Sequence, residues 1–127
     1  MASPERVLII DDEPLIGLSF QRAFERLGLR TFVAADGESG RVLWLQEKPE
    51  LILLDVLMPV MSGPELLKNM VKELGRENLG YIVLMSAYSG AYNVTSARQL
   101  GADEFVAKPF PNIIELTTQL VKNCQKL

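Results

Sequence analysis

The chain has 127 residues, of which 48% are hydrophobic and 23% charged, with a formal net charge of −3, one cysteine and no histidine. That length predicts one domain able to bury roughly two thirds of its unfolded surface, enough for a core without disulfides or a structural metal. The composition excludes a disordered, fibrous or low-complexity chain, and the absence of histidine excludes any His-based triad, His-ligated metal or His general base.

In chain order, short apolar runs alternate with longer helical patterns. The first run, Val7–Ile10, is followed by a helix that begins at Pro14, stops at Gly28 and carries Ile16, Phe20, Phe24 and Leu27 on one stripe. Thr31–Ala35 is the second run and Glu38–Lys48 the second helix, ended by Pro49. Leu51–Leu54 is the third run. Ser62 then caps a third helix, with Pro64 in its first turn and Leu67, Met70, Val71 and Leu74 facing inward. Tyr81–Met85 is the fourth run. The fourth helix, Ala91–Leu100, has the poorest stripe, with Val94, Ala97 and Leu100 apolar and Tyr88, Ser89, Gly90, Tyr92, Asn93, Thr95 and Ser96 crowding its start. Glu104–Ala107 is the fifth run. The last helix starts near Pro111-Asn112 and buries Ile113, Leu116, Leu120 and Cys124.

Three of the runs are continuously apolar, which suits strands of a parallel sheet covered on both faces. Five strands in strict alternation with five helices predict a (βα)5, doubly wound, flavodoxin-like sheet. Its expected strand order is 2-1-3-4-5, with right-handed crossovers and helices on both faces. No apolar run approaches the ~20 residues that a bilayer span needs. The N-terminal run is too short for a signal peptide and is followed at once by acidic residues. One cysteine cannot form an internal disulfide, so a reducing cytoplasm is expected. Charge divides unevenly, −4 over residues 1–63 and +1 over 64–127, without the basic patch of a nucleic-acid binder.

Ligands of such sheets bind beyond the C-terminal strand ends, and polar residues gather there. Asp11, Asp12 and Glu13 follow the first strand, Asp55 closes the third, Ser86 ends the fourth and Lys108 ends the fifth. Taken singly, most have ordinary explanations: Asp12 or Glu13 can cap a helix, and Ser86 and Lys108 can be loop residues. Asp55, set between Leu54 and Val56, has no such explanation. Carboxylates ~4–5 Å apart repel by roughly 3–4 kcal/mol at an effective dielectric of 20. Asp11, Asp12 and Asp55 therefore call for opposing charge. Lys108 supplies one positive charge, and Mg²⁺, a hard cation content with few protein oxygens, supplies the rest. The Asp55 carboxylate can then attack phosphorus, with Ser86 and Lys108 placed to hold phosphoryl oxygens.

Four segments carry a family likeness: Val7-Leu8-Ile9-Ile10-Asp11-Asp12-Glu13, Leu53-Leu54-Asp55-Val56-Leu57-Met58-Pro59, Leu84-Met85-Ser86-Ala87 and Lys108-Pro109-Phe110. In this order and spacing they resemble the CheY-like receiver domain of response regulators, from about Glu5 to Val121, and Gly101-Ala102-Asp103-Glu104-Phe105 adds to the likeness. The whole of residues 1–127 is then one receiver domain. The resemblance implies that Asp55 accepts a phosphoryl group from a phosphohistidine of a sensor histidine kinase or histidine phosphotransfer protein. It implies Mg²⁺ held by Asp12, Asp55 and the backbone carbonyl of Leu57, with Asp11 acting through a metal-bound water. It implies that Lys108 contacts the phosphoryl group, with a cis bond to Pro109, that Ser86 swings toward it, and that Phe105 is the aromatic switch. The protein would be a signalling domain rather than an enzyme with a separate substrate. A second copy or an output partner would dock on the fourth helix, fifth strand and fifth helix.

Ser86 is often Thr in this family and Phe105 often Tyr. The resemblance places Leu57, two residues beyond Asp55, and Tyr88, two beyond Ser86, beside the path of the hydrolytic water, and both are bulky. A flavin- or nucleotide-binding relative would need a Gly- or Ser/Thr-rich first loop, where this chain has three acids. An aspartate-nucleophile phosphatase would need an acid where Leu57 stands. The remaining alternative is a phosphorylation-independent docking module, which normally lacks one of the residues retained here.

Overall fold

Five strands and five helices alternate along the computed structural model, which describes residues 3–87 and 94–126. They are β1 (Arg6–Ile10), α1 (Pro14–Arg26), β2 (Arg30–Ala34), α2 (Gly37–Glu47), β3 (Leu51–Asp55), α3 (Gly63–Leu74), β4 (Tyr81–Ser86), α4 (Val94–Gln99), β5 (Glu104–Ala107) and α5 (Ile113–Gln125). All strands are parallel and the sheet order is β2-β1-β3-β4-β5.

The period-two alternation of a strand sorts the apolar runs into two cores. Leu8, Ile10, Ile52, Leu54, Ile82 and Leu84 pack with Trp44 of α2, Leu66, Leu67 and Met70 of α3 and Ala97 of α4. Val7, Ile9, Leu51, Leu53, Val83 and Met85 pack with Phe20 and Phe24 of α1 and Leu120 and Cys124 of α5. Both faces of β1, β3 and β4 are dry, which explains why those three runs have no polar alternation. Trp44 donates its indole N–H to the carbonyl of Leu79, 3.3 Å away, just before β4 begins.

Ser62 caps α3 as expected, its hydroxyl accepting the Glu65 N–H, and Asn112 caps α5 by accepting that of Glu115. Several boundaries move. Strand β2 starts and ends one residue before the expected run. Helix α2 also lies one residue early, because Asp36 accepts the Ser39 N–H and Lys48 takes a left-handed conformation at the far end. Strand β3 keeps Asp55 as its last residue. Leu27 lies past the end of α1 and is 44% exposed, so it leaves the expected stripe, and Leu29 fills the buried place instead. In α4, Ala97 is buried whereas Leu100, beyond the helix end, is exposed. The expected start of that helix, with Tyr88, Ser89, Gly90, Tyr92 and Asn93, lies outside the described residues, as does the Val94 side chain. Among the described residues no helix is long and apolar enough to cross a membrane.

Gly63, at the first position of α3, is required by close approach. A Cβ there would lie 2.2 Å from the carbonyl oxygen of Asp55, and the Gly63 N–H donates to Val56. The loop after β3 therefore folds directly back onto the end of that strand.

Candidate functional site

The last rungs of the sheet position the polar residues. Just beyond β1, the Asp11 N–H donates to Ala34 of β2. The N–H of Val56, after Asp55, donates to Met85 of β4. Beyond β5, the Lys108 N–H donates to Ser86. Strand alternation then aims the side chains. Asp11, Asp55 and Lys108 continue the rows of Ile9, Leu53 and Val106, whose side chains face α1 and α5. One face of one sheet edge thus receives two carboxylates and an ammonium from strands far apart in sequence.

Lys108, followed by a cis bond to Pro109, is not the solvated loop residue that a lysine before proline suggests. Its side chain is 7% exposed, and Nζ lies 2.9 Å from Asp11 Oδ2, 3.0 Å from Glu13 Oε1 and 3.5 Å from Asp55 Oδ1. Burial works against its charge, but the close contacts with the Asp11 and Glu13 carboxylates outweigh burial and hold its pKa above the ordinary lysine value. Asp11 is itself buried. Its Oδ1 accepts the Glu13 N–H at 2.9 Å, while Oδ2 meets the ammonium as an ion pair without a well-directed hydrogen bond.

Asp55 is 3% exposed. Burial, the charge of Asp11 and, after the opposing pull of Lys108, that of Asp12 push its pKa up to about 7. This is the expected result of three carboxylates against one ammonium. Asp11, Asp12 and Asp55 each offer an oxygen within 4.8 Å of the others. A set made wholly of carboxylate oxygens, one of them buried without a directed donor, fits a hard divalent cation. Asp12, exposed, opens the group to solvent.

Ser86 is buried at the end of β4, opposite Ala107. Phe105 stands opposite Leu84 and packs, partly buried, against the α2–α3 core. Leu57 is 61% exposed, and Tyr88, the other residue expected beside the path of the hydrolytic water, lies outside the described residues. Two participants are not evident from spacing. Gly63 shapes the loop behind Asp55. Glu13 occupies the cap position of α1 without capping it, its carboxylate going to Lys108 instead. Glutamate is not among the side chains favoured at a helix N-cap, which marks Glu13 as a poor cap without showing where its carboxylate goes.

The sequence model of the response regulator receiver domain matches residues 7–121. The chain is 36% identical over 106 residues to sporulation initiation phosphotransferase F of Bacillus subtilis (strain 168), covering 84% of this chain and 83% of that one. It is 35% identical to the alkaline phosphatase synthesis transcriptional regulatory protein PhoP of the same organism, but spans 43% of that protein's length. Its structure is similar, with a TM-score of 0.78 and 30% identity, to the response regulator TrrA of Thermotoga maritima in complex with Mg²⁺-BeF, covering 94% of this chain and 98% of that one.

Proposed function

The chain belongs to the response regulator receiver domain family, and from that membership we propose that Asp55 is its phosphoacceptor. The observation that carries this reading is a buried carboxylate at the end of a central strand, 3.5 Å from a buried ammonium and grouped with two further carboxylates. The donor is a phosphohistidine on a sensor histidine kinase or histidine phosphotransfer protein, since this chain has no histidine to supply. An Asp55 oxygen attacks phosphorus, and the P–N bond breaks with its electron pair left on the imidazole nitrogen. The product is an acyl phosphate on Asp55.

Lys108 and the Ser86 hydroxyl hold the phosphoryl oxygens. Asp12, Asp55 and the Leu57 backbone carbonyl are the ligands we assign to Mg²⁺, with Asp11 reached through water. Bound there, the ion neutralises charge on the phosphoryl oxygens. The Mg²⁺-BeF complex of the TrrA relative supports this choice. Without a cation, an Asp55 pKa of about 7 leaves much of the nucleophile protonated at neutral pH. On this reading the chain assists its own phosphorylation and dephosphorylation and turns over no separate substrate. Residues 1–127 act as one receiver unit in the cytoplasm. Ser86 and Phe105 relay the phosphorylated state to α4, β5 and α5, where a second copy or an output partner docks.

Incubation with acetyl phosphate and Mg²⁺, followed by intact-mass measurement, tests the acceptor. Wild type gains one phosphoryl mass and Asp55→Asn gains none. A variant that is modified at the wild-type rate overturns the assignment. A wild-type chain showing no saturable response to beryllofluoride with Mg²⁺ would favour the docking-module alternative.

A further inference from the structure

The Lys108 ammonium has three N–H donors and three acidic neighbours, and its two short contacts go to Asp11 and Glu13 rather than to Asp55. These neighbours differ in environment. The Asp11 and Asp55 side chains are 0% and 4% exposed, whereas that of Glu13 is 60% exposed. Glu13 is also held in place on the other side. Its N–H donates to Asp11 Oδ1 and its carbonyl accepts the Ile16 and Gly17 N–H groups, so its backbone is fixed against both the acid cluster and α1.

Its side chain, at the cap position of α1, makes no capping bond. A glutamate that ignores the free N–H groups of its own helix, and reaches across to a lysine 95 residues away, is placed for the lysine.

We propose that Glu13 is a positioning residue acting through Lys108: it draws the ammonium toward itself and away from closer contact with Asp55 in the resting domain, and a phosphoryl group competes with it for that ammonium. The inference rests on Asp55 being the acceptor. When Asp55 carries a phosphoryl group, new oxygens compete for the same three N–H donors. The contact given up is the one to Glu13, because water readily resolvates an exposed carboxylate, while releasing buried Asp11 would leave a charge unpaired. Glu13 thereby shifts the balance toward the unphosphorylated state.

Beryllofluoride stands in for the phosphoryl group, and its affinity is measured by calorimetry at saturating Mg²⁺, with Mg²⁺ affinity measured separately. Glu13→Gln is expected to bind beryllofluoride three- to tenfold more tightly, about 0.7–1.4 kcal/mol, while binding Mg²⁺ no more tightly than wild type. A general field effect of one lost negative charge would also favour an anion, so Glu13→Asp decides between field and contact. It keeps the charge, but its shorter carboxylate falls short of Lys108 and prefers the N–H groups of α1. Glu13→Asp is therefore expected to follow Glu13→Gln. An aspartate variant with wild-type beryllofluoride affinity, or a glutamine variant with unchanged or weaker affinity, overturns the positioning role while leaving Asp55 as acceptor. A wild-type protein that takes up no beryllofluoride overturns the acceptor reading and the positioning role together.

Discussion

Replacing Asp55 with asparagine should stabilise the metal-free domain, and by an amount that depends on pH in a defined direction. The carboxyl is buried beside Asp11 and Asp12, and its pKa is raised from 3.8 to about 7. An acid whose folded pKa lies above its unfolded value binds more protons in the native state between the two. Stability therefore falls as pH rises through that interval and is level outside it. At about 1.4 kcal/mol per pKa unit, the cost of ionising Asp55 in the fold is about 2–4 kcal/mol above pH 7, allowing for solvent relaxation around the cluster. Asparagine keeps the shape and removes the charge. With a urea dependence of roughly 2 kcal/mol per molar, the midpoint of Asp55→Asn should exceed that of wild type by about 1–2 M at pH 8 and by little near pH 4. Urea titrations in chelator across that range give the two curves. If they run parallel, or if the advantage of the variant grows toward low pH, the electrostatic account of the site is wrong.

Mg²⁺ should raise the thermal midpoint of wild type in proportion to the logarithm of its excess over Kd, worth about 2.7 kcal/mol at a hundredfold excess, and Asp12→Ala should flatten that response in a calorimetric or dye-based melt. Gly63→Ala should lower stability by about 2–3 kcal/mol, read from its urea midpoint, because the added methyl collides with the backbone of Asp55. Hydrogen exchange with and without beryllofluoride should change across Ser86 and Phe105 as well as around Asp11–Glu13; a change confined to the latter would refute a relay through Phe105.

The covered strands and the helices on both faces were legible because short, uniformly apolar runs such as Leu51–Leu54 alternate with longer helical patterns, while the strand order followed from the order common to doubly wound sheets. The grouping of Asp11, Asp55 and Lys108 followed from their place at strand ends, since a parallel sheet sends every such end to one edge. Leu27 was misplaced because a stripe continues on paper past the point where the helix stops, and Gly28 was already marking that stop. The Glu13–Lys108 contact was hidden for another reason. Periodicity says which face a side chain occupies, but a long flexible carboxylate has several destinations from the same Cα, and its choice depends on a lysine brought near only by the fold. Gly63 was equally silent, because a glycine needed for backbone contact has no sequence mark distinguishing it from one needed for a turn.

The lone tryptophan gives this protein a convenient division of optical labour. Trp44 is 2% exposed and anchored to Leu79 at the edge of the sheet where β4 begins, a full strand length, roughly 15–20 Å, from the acids at the opposite edge. Its emission should stay constant while Mg²⁺ or a phosphoryl analogue binds, and should change when water reaches the indole on unfolding. The native fluorophore is thus a built-in reference signal for folding. Ligand titrations followed by another probe can be read with the tryptophan channel as an internal check that the domain is still intact.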